Sequence, residues 1–266
     1  IYQEMLRWKE ERQGETALLI EGARRIGKST IVEEFAKNEY SSYILVDFSK
    51  TATEINNLFN DLSDLNYIFL RLQLNYNVSL KERKSLIIFD EVQNNPKARQ
   101  AIKHLVKDHR YDYIETGSLI SIRKNVQNII IPSEETRITM HPMDFEEFRW
   151  AMGDNVTFTL LKTVLEQKQP LGEATHRKLM RDFRLYMLVG GMPQAVDKYI
   201  KTNDLSAVDT VKRDIIALYE EDLRKIDTSG KATAMFDAIP SQLSKNASRY
   251  TISTCLLYTS PSPRDR

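Results

Sequence analysis

An α/β fold, with a parallel sheet covered by helices on both faces, is predicted for this chain by three observations. Short apolar runs ending in glycine or carboxylate alternate with segments of helical period through the first half. The first run leads into Gly22-Ala23-Arg24-Arg25-Ile26-Gly27-Lys28-Ser29, which fits the phosphate-binding pattern G-x-x-x-x-G-K-[ST] in the strand-then-helix setting that the pattern requires. A later run, Ser85 to Phe89, ends in Asp90-Glu91, at the strand end where ligands of open α/β sheets bind.

In chain order, Thr16 to Glu21 (TALLIE) reads as a buried parallel strand. A helix over 28–38 follows from Ile31, Val32, Phe35 and Ala36, and Gly27 permits the tight turn into it. A strand at 43–48 (YILVDF), a helix near 52–74, a strand at 85–90, a helix at 96–107 and a strand at 111–116 come next. Further strands are expected near Ile129 to Ile131 and Arg137 to Met140. From Asp144 to Asp237 the period is helical, punctuated by Pro142, Pro170, Gly190, Gly191 and Pro193, and reads as a helical lid on the sheet domain. The expected division is a core over 1–150 and a lid over 151–238.

The chemistry expected of these residues is phosphate binding. Successive loop amides and the helix N-terminus present partial positive charge to phosphate oxygens. Lys28 reaches the β- and γ-phosphates, and Ser29 offers its hydroxyl to Mg²⁺. Asp90 is the natural Mg²⁺ partner, directly or through water, and Glu91 is placed to polarise an attacking water as a general base. Taken alone, an Asp-Glu pair after an apolar run serves equally as a strand-to-helix cap. Thr116 and Ser118, at the next strand end, are candidates for sensing the γ-phosphate, the alternative being a turn rich in small residues. Arg24 and Arg25 read as solvated.

At 266 residues the chain can bury one or two cores. A net charge of +1 gives no overall electrostatic footprint for nucleic acid or membrane, so any DNA contact must be local. No apolar run approaches the roughly 20 residues of a membrane span and no signal peptide is recognised, so a cytoplasmic protein is expected. Cys255, the only cysteine, excludes an intramolecular disulfide and a zinc cluster. His104, His109, His141 and His176 lack metal-ligand spacing.

The segments GARRIGKST (Gly22 to Thr30), IIFDEVQ (Ile87 to Gln93), TGS (Thr116 to Ser118), MHPMDFEEF (Met140 to Phe148) and GGMPQAV (Gly190 to Val196) together resemble prokaryotic AAA-type P-loop ATPases with a nuclease-like C-terminal domain of unknown function. The resemblance covers roughly residues 1–250. It implies a three-layer αβα core with sheet order 5-1-4-3-2, a helical lid, and then a winged-helix segment opening at 239–253. It also implies that Gly22, Ala23, Arg24, Arg25, Ile26, Gly27, Lys28, Ser29 and Thr30 contact ATP. A further resemblance, to signal-transducing ATPases with a Gly-x-Pro turn against adenine, puts Gly191 and Pro193 at the base, where a plain inter-helix turn is the alternative. Arg137 is implied as an arginine acting on a neighbouring subunit, against a surface salt bridge. Arg177, Arg181 and Arg184 share a helix face that reads as a lid sensor, a phosphate-backbone contact or a solvated surface.

The first short helix of the winged-helix segment is expected near Pro240. Cys255 to Arg266 (CLLYTSPSPRDR) has no apolar period and resembles translated sequencing-adapter readthrough, so 254–266 is expected to be non-native and frayed. With Ile1 in place of a methionine, truncation at both ends is expected. The leading functional expectation is an ATPase that binds Mg-ATP and hydrolyses it to drive a switch or motor through lid movement. The alternative is a nucleotide-gated DNA- or protein-binding module with little or no hydrolysis. A P-loop kinase or GTPase fits less well, because no N-K-x-D signature is present. The expected partners are ATP, a DNA or protein partner reached through the missing C-terminal part, and further copies of the chain in a homo-oligomer; no membrane is expected.

Overall fold

The computed structural model describes residues 1–118 and 134–244. Helix α1 (Tyr2–Arg12) comes first and buries Met5 and Trp8. Strand β1 (Ala17–Gly22) and helix α2 (Lys28–Glu39) flank the glycine-rich loop. Then follow β2 (Ser42–Asp47), α3 (Thr53–Asn57), α4 (Leu65–Tyr76), β3 (Ser85–Asp90), a 3-10 turn (Val92–Asn94), α5 (Pro96–Asp108), β4 (Asp112–Ser118) and β5 (Glu135–Met140).

All strand pairs are parallel and the order is β2-β3-β4-β1-β5, which is 5-1-4-3-2 read from the other edge. Alternate residues of each strand face opposite sides, so the sheet feeds two cores. On one side Ala17, Ile87, Phe89 and Tyr113 pack with Ile55, Ile68, Phe69, Leu72 and Ile102. On the other, Leu18, Ile20, Leu86, Ile88 and Ile114 pack with Met5, Trp8, Val32 and Phe35. This is the three-layer α/β architecture expected, and burial on both faces explains why the central strands read as continuous apolar runs.

Two elements depart from expectation. The helix expected near 52–74 is broken: α3 and a 3-10 turn (Leu58–Asn60) precede α4. Asp61 accepts from the Ser63 amide at 2.9 Å, and Asp64 caps α4 by accepting from Tyr67 N at 3.1 Å. Short acceptors so placed compete with helix continuation and favour a turn and a new start. Helix α1 has no counterpart in the sequence expectations, although Ile1, Met5 and Trp8 have helical spacing. The strand expected at 129–131 lies outside the described residues, as does the 254–266 tail.

The remaining elements are helical: α6 (Phe145–Ala151), α7 (Thr157–Glu166), α8 (Glu173–Val189), α9 (Pro193–Thr202), α10 (Leu205–Ile226), α11 (Lys231–Asp237) and α12 (Ile239–Ser244). Asp144 and Glu147 start α6 with a reciprocal capping box. The chain divides into two compact units, one of residues 1–179 with 190–193 and the other of 180–189 with 194 onward. The second unit buries Val189, Ala195, Val196, Val208 and Ile215, and its Tyr219 and Phe236 rings stack 6.1 Å apart. Helix α12 begins next to Pro240, where a short helix is expected. Among the described residues no helix is long and apolar enough to cross a membrane.

Candidate functional site

Strand β1 hands over to α2 through a loop whose curvature comes from two left-handed residues, Arg25 (φ 67) and Gly27 (φ 93). Gly27 needs no side chain to adopt that angle, and its carbonyl accepts the first helical bond, from Ile31 N at 3.0 Å. At Gly22 the constraint is space, because a Cβ there would collide with the carbonyl oxygen of Met140 on the neighbouring strand. Ile26 is buried and anchors the loop from below, while Arg25 and Thr30 are exposed. Lys28 is buried, and its ammonium donates to Ala23 O at 2.7 Å and Gly22 O at 3.2 Å. Burial pulls its pKa below the usual lysine value, while the carboxylates of Glu91 and Asp90 work the other way.

Parallel strands bring their C-terminal ends to one edge of the sheet, and there the acidic pair meets the loop. Ser29 Oγ donates to Asp90 Oδ1 at 2.7 Å. Thr116 Oγ1 donates to the same carboxylate oxygen and accepts from Glu91 N at 3.3 Å. The register explains the grouping: Thr116 pairs with Ile20 of β1, and Ser118, half-buried, with Gly22. Asp90 is 6% exposed and Thr116 fully buried. Glu91 has left the strand in the left-handed region (φ 53), and its Oε2 accepts from Gln93 Nε2. Ser29 and Asp90 suit Mg²⁺, a hard cation that takes one or two protein oxygens and keeps water or phosphate in its other positions. Among the described residues no cluster of three or more His, Cys, Asp or Glu could hold a metal ion.

Beside the loop lies a cavity of about 790 Å³, within the usual range for small-molecule sites. Tyr2, Ile26, Gly27, Met140, Trp150 and Pro193 give it mainly apolar walls, with the acceptors of Glu34 and Glu147 at its margin. Pro193 thus shares this cavity with the loop. At Gly191 a Cβ would strike the Met143 carbonyl, and the Gly191 carbonyl accepts from Met143 N at 2.8 Å.

Arg137 lies elsewhere, on β5 opposite Leu19, with Nε 2.6 Å from Glu135 Oε1 and 44% of its side chain exposed. Glu135 is itself buried and also meets the buried Arg99 of α5 at 3.2 Å. Glu115 completes this group; it is fully buried, with the Glu135 carboxylate beside it as a hydrogen-bond partner. Burial, reinforced by the negative charge of Glu135, pushes its pKa well above the ordinary Glu value, and the Arg99 guanidinium only partly opposes this. Arg177, Arg181 and Arg184 are exposed on α8, with Arg177 paired to Glu173 at 3.1 Å. Sequence patterns missed Gln93, the Glu115 group and the aromatic cavity walls; only Gln93, as part of the quoted IIFDEVQ segment, left a local trace.

A family model for the AAA domain matches residues 14–149, and one described as a domain of unknown function (DUF8612) matches 180–258. No match is found among curated proteins. Among solved structures, the chain is similar to C. elegans PCH-2 at 11% identity and a TM-score of 0.40, covering 79% of this chain and 64% of that one. It is also similar to the Aeropyrum pernix ORC1 protein solved in complex with DNA, at 11% identity and a TM-score of 0.40, covering 97% of this chain and 82% of that one. The chain therefore spans just under two thirds of the PCH-2 chain.

Proposed function

The chain belongs to the AAA domain family, and from that premise we propose that its nucleotide-binding, ATPase-like domain takes Mg-ATP and hydrolyses it, with lid movement carrying the result to a switch or motor output. The observation that carries this reading is the 2.7 Å contact between Ser29 Oγ and Asp90 Oδ1, which joins the phosphate loop to the acidic strand end.

In this reading the loop amides and the start of α2 receive the phosphates, and Lys28 exchanges the carbonyls of Gly22 and Ala23 for β- and γ-phosphate oxygens. Ser29 and Asp90 hold Mg²⁺, which when bound neutralises charge on those oxygens. Glu91 accepts a proton from the attacking water, and Thr116, whose hydroxyl joins Asp90 to the Glu91 backbone, responds to the γ-phosphate together with Ser118. The base enters the cavity lined by Tyr2, Trp150 and Pro193, whose apolar walls suit a purine ring. Arg137 reaches the site of a second copy only by giving up Glu135. The helices of 151–238 take the lid role and pass nucleotide occupancy to a DNA or protein partner.

Phosphate release by purified protein with Mg-ATP tests the reading. Glu91→Gln should lose turnover by about 10²–10⁴-fold while still binding nucleotide, and equal rates reject Glu91 as the base. ATP should raise the melting temperature more than GTP at equal concentration, since selective binding stabilises by mass action.

A further inference from the structure

We propose that Gln93 is a positioning residue for Glu91, its side-chain amide holding one carboxylate oxygen so that the other is turned to the attacking water. The proposal rests on the reading of Glu91 as the general base.

The Glu91 backbone is held on both sides. Its N–H donates to Thr116 Oγ1 at 3.3 Å, and its carbonyl accepts from Asn94 N at 3.0 Å. The left-handed φ of 53° then sets the direction in which its side chain leaves. Beyond Cβ the side chain has further rotatable bonds, and Gln93 Nε2 on Oε2 is the hydrogen bond that fixes them. Gln93 is only 8% exposed and sits in a short 3-10 turn anchored at both ends. Val92 before it is fully buried in the core. Asn95 after it is buried, caps α5 by accepting from Ala98 N at 3.0 Å, and donates to Asn56 O at 3.0 Å.

Donor and acceptor are two residues apart in one turn, so their contact needs no movement elsewhere in the molecule. Such an arrangement aims a base rather than gating it. The choice of an amide also matters chemically. A lysine or arginine in that place would favour the ionised carboxylate and weaken it as a base, whereas a neutral amide orients it with a smaller effect on basicity.

Two variants of the full chain test this through kcat and KM for ATP. Gln93→Leu removes the donor at similar size, and is expected to lower kcat by roughly 10- to 100-fold, the effect of a misaimed reacting group, with KM unchanged. Gln93→Asn keeps an amide donor on a shorter side chain and is expected to recover part of the kcat that Gln93→Leu loses, again with KM unchanged. Wild-type kcat in Gln93→Leu, with turnover still abolished by Glu91→Gln, overturns the role of Gln93 and leaves the base in place. A parallel fall in kcat and nucleotide affinity marks Gln93 as merely structural and overturns it too. Absence of hydrolysis by the wild-type protein removes the general-base reading and this inference with it.

Discussion

Thr116 and Glu115 are neighbours on one strand, yet they belong to polar groups of opposite character. Thr116 faces the loop side, where Ser29, Asp90 and the Glu91 amide form a chain of hydrogen bonds. Glu115 faces α5, where two carboxyls and two arginines are gathered away from the loop. Strongly displaced titration is a common marker of function, and by that marker Glu115 would be chosen. Geometry selects the other face, because only there do a phosphate cradle and a carboxylate converge. A buried charge cluster can be architecture, and a well-satisfied cluster can be the site.

The contrast can be broken most severely at Arg99. Arg99→Ala leaves Glu135 buried with one cation fewer, and should cost about 3–5 kcal/mol and lower Tm on the order of 10 °C, while nucleotide affinity measured well below Tm stays unchanged. A loss of affinity as large as the loss of stability would merge the two groups into one. Next in size, Lys28→Ala should weaken ATP binding by roughly 10- to 100-fold in calorimetry, as expected when a charged hydrogen bond worth about 1.5–3 kcal/mol is removed. Unchanged affinity would contradict its assigned place.

The neighbouring pair then gives a matched test. Thr116→Val should lower turnover by about tenfold with little change in Tm, having removed one neutral hydrogen-bonding group of about 1 kcal/mol from the site face. Glu115→Gln should do the reverse. Because the folded-state pKa of Glu115 is raised, its contribution to stability is fully present below the ordinary Glu value of 4.5 and is lost as pH rises toward the folded value. The amide cannot ionise, so the variant should be more stable than wild type at pH 8, by about 1 kcal/mol, and should show a flatter dependence of Tm on pH between 4 and 8. A wild-type Tm that rises with pH through a Glu115-dependent step would refute the assignment.

Much of this was written locally in the chain. The loop, β1, α2 and β3 follow from short-range signals: an apolar run, a glycine and a carboxylate at a strand end. The order of the strands was supplied by resemblance, since pairings such as Thr116 with Ile20 join residues far apart in the chain. The same distance hid the Glu115 group. Arg99 looks like a solvated helical residue and Glu135 like a strand-edge charge until β4, β1 and β5 are aligned with α5 packed across them. The aromatic cavity walls were hidden for the same reason, because Tyr2 and Trp150 come from segments distant in sequence. Even Asp61 and Asp64, which split the expected helix, act by competing with helical periodicity and not by changing it.

The hold of Lys28 on the carbonyls of Gly22 and Ala23 makes the loop its own rival ligand. Under the proposed function, each incoming polyphosphate displaces an internal tether already in place, so its measured affinity would report an exchange of partners. Under that reading, diphosphate and triphosphate should be told apart by how completely each one recruits that buried ammonium.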